Sequence, residues 1–132
     1  MANKKVISLF FILSISIIGC DPTTNIAIIN DTPYSITIKV GKIEKTILSQ
    51  EAFWFKLLGP LRKNSSKETV SRAIGEYYES GCNILYLEKH YHLTPDDIAD
   101  LVVNVAGFRK NVMAYIYEIN ISEVINELQT RR

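Results

Sequence analysis

Cysteine is nearly missing from this chain: its 132 residues hold two, Cys20 and Cys82. That leaves room for at most one disulfide within the chain. Histidine is as scarce, with His90 and His92 alone, so a metal site would have only two imidazoles to draw on. A surplus of charge is lacking too, because 15 Lys and Arg face 14 Asp and Glu. A balance this close to neutral carries no electrostatic footprint for nucleic acid, and none is expected as a partner. The densest basic cluster, Arg62, Lys63 and Lys67, is followed at once by Glu68 and reads as a solvated loop. The sequence contains no Gly-x-Ser-x-Gly elbow and no phosphate-cradling glycine loop. No cofactor is therefore expected, and no repeat or low-complexity tract suggests an array.

What is present is concentrated at the start. Lys4 and Lys5 precede thirteen residues without charge, Val6 to Ile18, which end at Gly19-Cys20. A positive n-region, an apolar h-region of about 7–15 residues and small residues at the cut define a secretory signal. The run is too short for an uncleaved membrane anchor, which needs about 20 apolar residues. Ordinary secretory cleavage would want a small residue where Ile17 stands. Ile17-Ile18-Gly19-Cys20 instead resembles the lipobox of bacterial lipoproteins.

That resemblance implies cleavage before Cys20, a diacylglyceryl thioether on its sulfur and usually an acylated amino terminus, palmitate being a typical chain. One acyl chain binds a bilayer marginally, whereas two or more hold it stably. The protein would then be tethered to a membrane of the cell envelope by lipid, without spanning it, and would not be cytoplasmic. Asp21, after the cysteine, resembles the inner-membrane retention signal of enteric bacteria; other groups sort by different rules. Loss of Lys4 and Lys5 would change the balance to 13 basic against 14 acidic side chains. Cys82 would be left without a partner in the chain, either buried and inert or open to an intermolecular bridge. Gly81-Cys82-Asn83-Ile84 leads into an apolar run, which favours burial.

The expected division is a signal peptide over 1–19, a lipidated tether over 20–25 and one domain over 26–132, a length that suits a modest single core. Ile26 to Ile29 reads as a short strand closed by turn chemistry at Asn30-Asp31-Thr32-Pro33. Tyr34, Ile36, Ile38 and Val40 then alternate with Ser35, Thr37 and Lys39, the period of a half-buried strand. Gly41-Lys42 suits a two-residue type II′ hairpin to a return strand, Ile43 to Leu48, with Ile43 and Ile47 on one face. Phe53 to Leu58 is aromatic on both faces and reads as a strand well inside a sheet, with Trp54 buried. Ser65 and Glu68 have capping-box spacing before a helix that Gly81 stops. Ile84 to Tyr91 resumes strand character. Thr94-Pro95-Asp96-Asp97 starts a second helix. Leu101 to Val105 reads as a turn of helix passing into a strand, and Asn111 to Ile121 as a strand. Ser122 is expected to cap a last helix, Glu123 to Leu128. The expected fold class is α+β: a small antiparallel sheet, begun by an N-terminal strand meander, with two or three short helices packed on it.

Three features could carry chemistry. Glu88, His90 and His92 would share one face of a strand, and two imidazoles with a carboxylate form a recognised zinc or iron ligand set. That face equally suits a solvated surface, since Leu85, Leu87, Tyr91 and Leu93 are read on the other. The seven tyrosines suit a binding groove or strand packing, and their register favours packing. Asp96, Asp97 and Asp100 are explained by helix starting. The expected function is a non-catalytic binding or structural module anchored in the envelope, with a protein or envelope polymer as partner. A second reading is an inhibitor or immunity-type lipoprotein that blocks a hydrolase, with Leu61 to Asn64 as a protruding loop. A third is a metal-dependent enzyme built on Glu88, His90 and His92.

Overall fold

The computed structural model describes residues 23–130. Ile17, Ile18, Gly19 and Cys20 lie outside the described residues. Among the described residues, eight strands and three helices follow in the order β1 Thr23–Ile29, β2 Ile36–Val40, β3 Ile43–Ile47, β4 Ala52–Leu57, α1 Lys67–Tyr77, β5 Cys82–Tyr86, β6 Lys89–Leu93, α2 Pro95–Asn104, β7 Gly107–Lys110, β8 Ala114–Asn120 and α3 Ile121–Thr130. The class is α+β. The strands of the N-terminal stretch divide between two four-stranded sheets, ordered β4-β1-β8-β7 and β3-β2-β5-β6. In the first sheet β1 pairs with β4 antiparallel and with β8 parallel, Ile26 facing Phe55 on one side and Tyr117 on the other. Every pairing in the second sheet is antiparallel.

One core joins both sheets to all three helices. Ile26, Ile28, Phe55 and Ile119 of the first sheet share it with Ile38, Ile84 and Leu93 of the second. Val70 and Ile74 of α1, Ile98 and Val102 of α2, and Val124 of α3 complete it. At about 25 cal/mol per Å² of apolar area buried, this cluster dominates the stability of so short a domain.

Polar side chains fasten the connections. Asn30 is fully buried and fully bonded: its amide donates to the carbonyls of Tyr34 (2.6 Å) and Ile47 (3.2 Å), and its Oδ1 accepts from Thr32 N–H and hydroxyl. It thereby ties the β1–β2 loop to the end of β3. Thr24, also buried, donates to Gly59 O and accepts from Leu61 N–H, both at 2.8 Å. Tyr117 then donates to Leu61 O at 2.7 Å.

Several sequence expectations change. β1 begins at Thr23, within the stretch read as tether, because Thr23 and Thr24 pair with Ala114 and Tyr115. β4 lies at a sheet edge and its second face is open, so Trp54 is 43% exposed. Its edge is plugged by a side chain, for Lys56 N–H donates to Tyr78 Oη (3.1 Å), which donates back to Lys56 O (3.2 Å). Ile43 is exposed at the start of the edge strand β3 while Ile47 is buried. Ser66, not Ser65, caps α1 by accepting from Thr69 N–H. Gly81 lies beyond the C-cap Tyr78; its φ of +69° and the Leu93 carbonyl, 1.8 Å from where a Cβ would sit, make it obligatory. Leu101–Asn104 stay helical, since the capping box of Thr94 and Asp97 starts a helix that Leu101 and Val102 bury against the core. Asn111 to Met113 form the turn between β7 and β8 rather than strand. Ser122 lies inside α3, where its N–H and hydroxyl both donate to the Asp31 carboxylate.

Candidate functional site

The outer face of the second sheet gathers its polar side chains into two cross-strand rows. Alternation along β2 turns Thr37 and Lys39 outward while Ile36, Ile38 and Val40 are buried. The two-residue turn at Gly41-Lys42, with φ of +60° at Gly41, sets Lys39 opposite Glu44 and Thr37 opposite Thr46. β5 and β6 extend the rows, so that one reads Glu44, Lys39, Asn83, His92 and the other Thr46, Thr37, Leu85, His90. Thr37 and Thr46 hydroxyls lie 3.1 Å apart, and His92 Nδ1 lies 2.7 Å from Asn83 Oδ1. Thr37, Lys39, Glu44, Asn83, Leu85 and His90 line an open depression of about 280 Å³.

Glu88 does not join the two histidines on the strand. It occupies the β5–β6 turn with Leu87, both at positive φ (+65° and +48°), the paired left-handed conformation of a type I′ turn. Neither residue is a glycine or asparagine, so the turn leaves no usual signature in the sequence. Among the described residues no three His, Cys, Asp or Glu side chains come together in an arrangement that could hold a metal ion.

On the reverse face of β5, Cys82 is 1% exposed. Burial first, and the Asp97 charge second, push its thiol from the ordinary 9.0 up to about 12. It stays protonated at neutral pH and is no nucleophile. Burial likewise raises the Tyr117 phenol. Asp97 serves the α2 capping box, Asp96 accepts from the Ser71 hydroxyl, and Asp100 pairs with Lys67 at 3.3 Å.

A second concavity, about 350 Å³, opens between the tip of the β2–β3 hairpin and the end of α1. Ile43 (63% exposed) and Tyr77 (44%) line it together with Lys42 and Glu79. Of the tyrosines, Tyr91, Tyr115 and Tyr117 are buried, Tyr78 and Tyr86 half-buried, and Tyr34 and Tyr77 exposed. The Leu61 to Asn64 loop is held at its root, where Leu61 is buried; only Arg62, Lys63 and Asn64 stand out.

The chain matches no protein-family model, no curated protein and no solved structure. Among the described residues no helix is long and apolar enough to cross a membrane. The depression is thus characterised by its own chemistry: one hydroxyl, one amine, one carboxylate, one carboxamide and an imidazole on a rigid sheet, suited to hydrogen-bonding a polar ligand surface. Of its residues, the sequence singled out only His90 for chemistry. Leu85, read on the opposite face, instead lies directly across from His90 on the same one, because the β5–β6 turn breaks the alternation between them. Lys39 and Glu44 could have been found from the hairpin, because a two-residue turn fixes their register. Asn83 could not, since its place beside Lys39 depends on a pairing across more than forty residues.

Proposed function

We propose that this chain is a lipid-anchored protein of the bacterial cell envelope whose folded part binds or supports another macromolecule and does no catalysis of its own. The observation that carries this reading is the order Lys4-Lys5, Val6 to Ile18, Ile17-Ile18-Gly19-Cys20, with the first described strand beginning at Thr23, three residues after the cysteine. A short link of that kind holds a domain close to a surface, where a tethered binding face works at high effective concentration. The polar rows of the second sheet supply such a face, rigid because every strand of it is paired and the inner sides of β2, β5 and β6 are buried.

Cys20→Ser tests the anchor. In cells fed labelled palmitate the unaltered chain is expected to take the label and to fractionate with membranes, and the variant to do neither. Undiminished membrane association of an unlabelled variant would overturn the reading. For the binding face, Lys39→Glu together with His90→Ala should weaken in-cell cross-linking of the tethered protein to its partner while leaving its folding unchanged, because all the altered groups are at the surface.

A further inference from the structure

The end of the first sheet at which the chain enters the domain carries three large apolar side chains that stand exposed among the described residues. Thr23 opens β1 and is fixed to the tip of the β7–β8 hairpin, its N–H donating to Met113 O at 3.0 Å. At that tip Val112 is 88% exposed and Met113 49%. On the other side of β1, Thr24 pairs with Leu57 and bonds Gly59 O, which places Leu58, 75% exposed, at the same end. Basic side chains accompany them. Lys110 closes β7 with its amine 5.3 Å from the centre of the Tyr115 ring, and Arg62 and Lys63 follow Leu61, which Thr24 also holds.

Cys20 precedes Thr23 by three residues, a span of at most about 11 Å of extended chain. Lipid on that cysteine would leave the hairpin tip no room to stand far from the bilayer. We infer that Leu58, Val112 and Met113 dip into the interfacial zone of the membrane, with Lys110, Arg62 and Lys63 against anionic headgroups. Apolar tips ringed by long basic side chains suit that boundary, where the stems stay dry and the charges stay wet. The orientation that follows turns the β5–β6 turn away from the bilayer, since Tyr86 before that turn meets Tyr34 beyond the far end of β1. This inference rests on the lipid-anchor reading.

Cys82 is buried and its thiol protonated, so a cysteine placed at the surface can be labelled selectively. The lipoprotein carrying Val112→Cys, or in a second preparation Met113→Cys, is labelled with an environment-sensitive nitrobenzoxadiazole dye and reconstituted into phosphatidylethanolamine–phosphatidylglycerol vesicles. Leu87→Cys serves as the control. Lipids bearing a spin label near the top of the acyl chain are expected to quench the dye at 112 and 113 at least about threefold more than at 87. Equal quenching at all three positions, in protein that floats with the vesicles, would overturn the inference and leave the anchor standing. The unaltered chain reads the anchor separately. It should take no dye, whereas dye on Cys20 would remove the anchor and this inference with it.

Discussion

The two sheets of this domain are built from strands of similar length but opposite design. In the first, the central strands β1 and β8 run parallel and are buried on both faces along their middles; even the outward Ala27 and Ile116 are 0% and 5% exposed. In the second, β2, β5 and β6 keep a dry side and a wet side, while the edge strand β3, exposed except at Ile47, offers Glu44 and Lys45 to solvent, which discourages pairing with another chain. Strands buried on both faces read as unbroken apolar runs, whereas half-exposed antiparallel strands alternate. Both sheets share the core; the first also holds the entry point of the chain, while the second displays side chains on its wet face.

That contrast predicts where damage falls. Ile28→Ala, in the middle of the first sheet, should cost about 2–5 kcal/mol in denaturant unfolding, the range for a deleted side chain in a packed core. Alkali probes the dry side of the second sheet through Cys82. Its thiol holds its proton to about pH 12 in the fold but to 9.0 in the unfolded chain. The unfolded state thus loses its proton first, and stability should fall between those values, by roughly tenfold in the folding equilibrium per pH unit. Cys82→Ala should flatten the slope, and iodoacetamide at pH 8 should modify Cys82 only after unfolding. Leu87→Asn with Glu88→Gly relieves two left-handed residues and should raise stability by about 1–2 kcal/mol. Thr37→Ala, on the wet face, should move it by about 0.5 kcal/mol or less.

The same contrast explains what could be read in advance. The β2–β3 hairpin was legible because its alternation and Gly41-Lys42 are local signals, and the Thr94 helix start was legible because its capping box lies within four residues. The parallel pairing of β1 with β8 was not, since it joins segments about 90 residues apart and no local pattern names a partner. Trp54 was misplaced for a related reason. Aromatic residues on both faces of β4 suggested a central strand, but Tyr78 occupies the edge where a neighbouring strand would pair. At the polar depression, His90 was visible as a residue type, whereas Glu88 lies off the strand in a turn that the sequence, with neither glycine nor asparagine there, does not announce.

The anchor we propose, lipid on Cys20 fixing this domain to the envelope, is open to a direct chemical test. Mass spectrometry of the N-terminal peptide, taken from protein isolated with the membranes of its own cells, tests it directly. The expected peptide begins at Cys20 and carries a diacylglyceryl-modified sulfur. A chain that retains residues 1–19, or one that bears an unmodified cysteine, would contradict it.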